Sequence, residues 1–159
     1  MELLKQMCEV HAPSGEESTM KNFILKHIEI NKNNWKVQPI LHYGKGLQDN
    51  LILVFGKPNT AIFAHLDSIG FTVKYNNEIV KIGGPVSSEG IVITGKDSFG
   101  KIEGKIVKKE NKIFIDFHRE IDKGTSLIFK SNFRETKEYI QSCYMDNRLG
   151  VWNALEVAK

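Results

Sequence analysis

Two short stretches carry side chains that could do chemistry together. The first is Ala64-His65-Leu66-Asp67-Ser68 and the second is Met145-Asp146-Asn147-Arg148. Side chains alternate along an extended chain, so His65 and Asp67 fall on one side. An imidazole so placed is a candidate metal ligand, with Asp67 fixing its ring orientation from behind. A lone His-x-Asp is common by chance and then does no more than close a strand end. A second acidic site makes it worth testing. Asp146 stands just before an apolar-periodic segment and reads either as a helix N-cap or as a carboxylate bridging two metals. A hydrolase built on Ser68 with His65 and Asp67 is disfavoured, because nucleophile, base and orienting acid normally converge from separate segments. His11, His42 and His118 lack ligand-like neighbours, and His27 borders an apolar stripe, so these four read as surface or packing residues.

The elements around these residues follow from periodicity. The apolar run 61–64 ends abruptly at His65, which predicts a strand buried on both faces. His65 then lies at the carboxyl end, where α/β sheets collect ligands. Upstream, Leu3, Leu4, Met7 and Val10 are spaced for a short helix over 2–10. Ser14 and Glu17 have the spacing of a capping box for a second helix from about 15 to 30, with Met20, Phe23, Ile24 and Ile28 on its apolar face. Segments 35–41 and 51–55 read as strands. The short loop 56–59 makes the second of them an antiparallel partner of the run at 61–64. From Thr72 the pattern changes to short segments rich in Val, Ile, Thr and Phe, at 72–75, 78–82, 91–94, 101–108, 112–118 and 126–130. Turn clusters separate them, which suggests a small barrel or sandwich. Helical spacing returns after Asp146, with Val151, Trp152, Leu155 and Ala158 on one face. Residues 1–70 plus 136–159 are therefore expected to form a partial α/β layer, and 71–135 an inserted β-barrel module. Such a partial layer should expose apolar surface or bury it against another copy.

Composition excludes several classes. The chain has 159 residues, 41% hydrophobic and 26% charged, as a globular protein does. A net charge of +3, from lysines that are scattered rather than clustered, gives no footprint for nucleic acid. Two cysteines are too few for a disulfide framework and fit a reducing, cytoplasmic setting. Acidic residues interrupt the N-terminus, which does not read as a signal peptide. No apolar run approaches the roughly 18 residues of a membrane span.

With these residues in view, the chain resembles the N-terminal half of the tetrahedral, glutamyl-aminopeptidase-like metallopeptidases, some of which have been labelled endoglucanases. The matching pieces are APSGEE at 12–17, Asp49-Asn50-Leu51, AHLDSIGF at 64–71, Lys81-Ile82-Gly83-Gly84, Ile115-Asp116 and MDNRLG at 145–150. The resemblance implies an α/β fold: a partial three-layer aminopeptidase-like catalytic domain carrying an inserted small β-barrel of the dimerisation type. It implies that His65 binds one metal, that Asp67 is the catalytic-site aspartate supporting it, and that Asp146 bridges both metals. It also implies two divalent ions, zinc or cobalt, peptide substrates that lose N-terminal residues to a metal-activated water, and a homo-oligomer, often a twelve-subunit tetrahedron. Two positions depart from the family pattern: Ser68 stands in place of a glutamate and Asn147 in place of an aspartate. The inserted module is also shorter than usual. The family's adjacent glutamates, one base and one ligand, lie beyond the Asp-x-Arg segment, as do a further carboxylate and a last histidine. No Glu-Glu follows Asp146 here, and Glu16-Glu17 belongs to the capping box. Two expectations result: a metallo-aminopeptidase of which this is the N-terminal part, or a non-catalytic scaffold that keeps the fold and assembly module. A glycosidase is not expected, since no acid–base carboxylate pair is identifiable.

Overall fold

A computed structural model describes residues 1–159, the Lys45 side chain excepted. The chain divides into two compact units. One comprises Met1–Ala12, Glu16–Asp67 and Tyr144–Lys159, and the other Pro13–Gly15 and Ser68–Cys143.

The first unit is built from helices α1 (Glu2–Glu9), α2 (Ser18–Asn31) and α3 (Met145–Val157) with a hairpin of β1 (Ile40–Tyr43) and β2 (Leu51–Val54). In α1, Leu4, Met7 and Cys8 are buried at positions i, i+3 and i+4. In α2, Met20, Ile24 and Ile28 recur every fourth residue on the buried stripe. The cap position of α2 is Glu17, so the helix starts three residues later than a Ser14 cap predicts. Val151 and Leu155 of α3 join Met7, Met20, Ile24, Ile28 and Trp35 in one core. Trp35 is not in a strand. It follows the 3-10 turn Lys32–Asn34 and is buried with its ring 6.3 Å from that of Phe55. Its bulk serves the core, and the strand forms five residues later.

β2 pairs with β1, from Ile40 opposite Val54 to Tyr43 opposite Leu51, and not with the run at 61–64. That run is a correction to the sequence reading. Residues 61–64 form no strand, and Phe63 is 89% exposed and Ile62 62%. An apolar run becomes a buried strand only where neighbours satisfy its amides and cover its faces, and among the described residues nothing pairs with this one. The exposed apolar surface expected of a partial layer is present, since Ile40, Tyr43 and Ile52 are exposed as well.

The second unit carries β3 (Gly70–Val73), β4 (Ile79–Ile82), β5 (Val92–Asp97), β6 (Gly100–Lys109), β7 (Lys112–Asp116) and β8 (Ser126–Phe129), followed by the small ladder of β9 (Arg134–Glu135) and β10 (Ile140–Gln141). The first six form one antiparallel sheet in the order β4-β3-β8-β5-β6-β7. Its two ends meet where Glu78, just before β4, bridges Phe114 in β7, so the sheet is nearly closed. Alternation fills the inside: Phe71 and Val73, Ile93, Ile102 and Ile106, Ile115 and Leu127 are buried together. Phe71 and Phe129 meet edge to face at 5.5 Å. Gly104 lies between Ile102 and Ile106 on the same face. A Cβ there would collide with the Asp116 carbonyl oxygen and stand 2.7 Å from Ile115 Cγ1. No helix among the described residues is long and apolar enough to cross a membrane.

Candidate metal centre

His65 and Asp67 lie at the end of the strand-free 61–67 stretch, and Asp146 lies in the first turn of α3. The fold brings all three together. His65 Nε2 is 3.0 Å from Asp146 Oδ1, across 81 residues of sequence. On the other side of the ring, His65 Nδ1 is 3.0 Å from Asp67 Oδ1 and 3.2 Å from the Asp67 carbonyl oxygen. Both ring nitrogens thus face ionisable carboxylates. A carboxylate only accepts, so the two contacts are hydrogen bonds together only when both ring nitrogens carry hydrogen. With a cation at the Asp146 side, Nε2 would instead present its lone pair while Nδ1–H stayed with Asp67.

Asp146 is not an ordinary N-cap. The helix start is irregular: Tyr144 is left-handed at φ 68°, Asp146 has φ −88° and ψ 105°, and the Asp146–Asn147 peptide is cis. No side-chain cap hydrogen bond is made there, and the Asp146 side chain is 93% exposed. Its carboxylate therefore faces His65 rather than the amides of its own helix. Gly150, one turn on, keeps this start in place. A Cβ at that position would collide with the Asn147 side chain, which folds back over the helix.

The residue missed in the sequence is Arg148. It is fully buried, and its Nη1–H donates to the Leu66 carbonyl, between His65 and Asp67. Its Nε and Nη2 are buried without a hydrogen-bond partner. Burial pushes its pKa down from the ordinary arginine value, against the opposing effect of Cys8, Asp67 and Tyr144. The signal was available: Arg148 stands three and seven residues before Val151 and Leu155, on the buried stripe of α3.

The donor set fits one side of a metal centre, with an imidazole nitrogen and a carboxylate converging on one point and Asp67 holding the ring from behind. A catalytic zinc ordinarily has about three protein ligands. Among the described residues no group of three His, Cys, Asp or Glu side chains is arranged to hold an ion.

The α/β unit and the nearly closed six-stranded antiparallel sheet match the fold of solved TET peptidase structures. A TET aminopeptidase from the marine sediment archaeon Thaumarchaeota archaeon SCGC AB-539-E09 matches 99% of this chain at a TM-score of 0.77 and 18% identity, over 52% of its own length. PhTET1-12s, solved as a dodecamer, matches 99% at 0.75 and 21%, over 54% of its length. The Pyrococcus horikoshii TET1 peptidase, which can assemble into a tetrahedron or a large octahedral shell, matches 98% at 0.73 and 20%, over 54%. The chain thus spans about half the length of the structures it resembles. No protein-family model and no curated protein matches the sequence.

Proposed function

We propose that this chain is the N-terminal part of a metal-dependent aminopeptidase that acts on peptides in the cytoplasm, as a homo-oligomer and without nucleic-acid or membrane partners. In this reading its first unit belongs to a three-layer α/β catalytic domain. The observation that carries it is the approach of His65 Nε2 to Asp146 Oδ1 at 3.0 Å, with Asp67 on the far side of the ring. The peptidase fold over nearly the whole chain supports it. His65 and Asp146 would each donate to a divalent ion, zinc or cobalt, and the family resemblance would have Asp146 shared between two. Such ions, when bound, polarise a carbonyl and activate a water. Asp67 accepts the Nδ1–H and keeps the Nε2 lone pair aimed at the metal side. The general base and the remaining ligands would come from polypeptide outside these 159 residues.

The test is calorimetric titration of zinc and cobalt into the purified chain and its His65→Ala and Asp146→Asn variants, beside assays with aminoacyl chromogenic substrates. The expected result is weak binding that both variants abolish, with no turnover by this chain alone. Equal binding by wild type and variants would remove the metal centre. Metal-dependent turnover by the chain alone would show that the catalytic set has been misplaced.

A further inference from the structure

We propose that Arg148 is the positioning residue of the His65–Asp146 pair, tying the segment that carries His65 and Asp67 to the helix that carries Asp146. A fully buried guanidinium with two of its three nitrogens unpartnered is a costly arrangement. An apolar side chain of similar length would fill the same space without that cost. Packing alone therefore does not account for an arginine here. Its one directional bond goes to the Leu66 carbonyl. The peptide unit is planar, so holding that carbonyl fixes the entry of the chain into Asp67 and its exit from Leu66, next to His65. Arg148 is also two residues beyond Asp146, past the irregular helix start. One side chain thus grips the peptide between the two residues of His-x-Asp from the element that presents the opposing carboxylate. The charge of the Asp67 carboxylate also offsets part of the effect of burying the guanidinium. Lysine could keep the charge but not the planar fork that reaches a carbonyl in fixed geometry.

The inference rests on the metal-centre reading only for its affinity arm, and a spectroscopic arm stands apart from it. The protein is labelled with 15N at its five histidines, and long-range ring spectra are recorded without metal at one fixed pH. The His65 signals are assigned by their loss in His65→Gln. Arg148→Met should move both His65 ring-nitrogen signals toward those of the exposed His42 and lower zinc affinity about tenfold or more. Arg148→Lys should fall between Arg148→Met and wild type. Leu155→Ala, a core truncation on the same helix, should leave the His65 signals in place and zinc affinity within about twofold. Unchanged His65 signals in Arg148→Met would overturn the proposal, as would equal movement in Leu155→Ala. Failure of both arginine variants to fold while Leu155→Ala folds would also overturn it, because Arg148 would then serve folding only. If wild type binds no zinc, the metal-centre reading fails, and the His65 signals still decide the role of Arg148.

Discussion

Arg119 grips Asp97 with both ends of its guanidinium, Nη1 to Oδ2 at 2.5 Å and Nη2 to Oδ1 at 2.8 Å. The same guanidinium lies over the rings of Phe99 and Phe117, at 5.3 and 5.1 Å from their centroids. The backbone N–H groups of Phe99 and Asp122 add to the grip on the carboxylate. This pins the β5–β6 turn to the strand-free segment before β8.

The pair is expected to contribute to the acid sensitivity of the second unit. The hydrogen bond from Arg119 holds the Asp97 carboxyl well below the usual carboxylate range, against an opposing effect of desolvation. A depressed carboxyl contributes stability that is fully present above its unfolded pKa, near ~3.9, and is lost as pH falls through the folded value. Thermal melts from pH 7 down to pH 2 should therefore show Asp97→Asn melting below wild type at neutral pH, with the gap narrowing only under about pH 4. A gap that narrowed between pH 7 and 5 would assign it to another group.

Gly104→Ala should destabilise the barrel by about 1–3 kcal/mol, as overpacking does. The added methyl would press on the Asp116 carbonyl and the Ile115 side chain at the β6–β7 ladder. Denaturant titration reads this directly, and a loss under about 0.5 kcal/mol would mean that the two strands part without cost.

Asn77 joins two stretches of the second unit. Its Oδ1 accepts the Ile121 N–H at 2.9 Å, its Nδ2 donates to the Arg119 carbonyl at 2.8 Å, and its own φ is 58°. Asn77→Ala leaves both backbone groups unpaired and should cost about 1–3 kcal/mol. Hydrogen exchange at the Ile121 amide should quicken in that variant before other barrel amides do.

Phe63→Ser should leave stability within about 0.5 kcal/mol, because the ring makes little contact with its own chain. The same change should reduce self-association, since Ile62 and Phe63 stand exposed together with Ile52 along one groove. Sedimentation velocity over a range of concentrations checks both statements on one sample.

The barrel strands were legible because runs rich in Val, Ile, Thr and Phe stand between turn clusters. The segment expected at 101–108 is β6 at Gly100–Lys109, and the one at 78–82 is β4 at Ile79–Ile82. Helices α1 and α2 were legible from Leu3, Leu4, Met7 and Val10 and from Met20, Ile24 and Ile28, whose spacing needs no distant partner to be recognised. The run at 61–64 misled, because Ile62 and Phe63 have strand-like types while a strand is made by its neighbours. At the site, His65 and Asp67 were visible as a local pair, and their meeting with Asp146 followed only from the resemblance. Arg148 escaped because a charge on a helix is ordinarily read as solvent-facing. Its spacing from Val151 and Leu155 pointed inward all the same.

The order in which the strands pair has a consequence during synthesis. β3 is made early, yet one of its two ladder partners is β8, with Phe71 opposite Leu127. The ribosome adds roughly 5–20 residues each second, so β3 and β4 leave the exit tunnel seconds before that partner exists. Until β8 emerges, β3 keeps one open ladder edge, available to a chaperone or to a neighbouring nascent chain. The first unit waits longer still, because its core is completed by Val151 and Leu155 of the last helix.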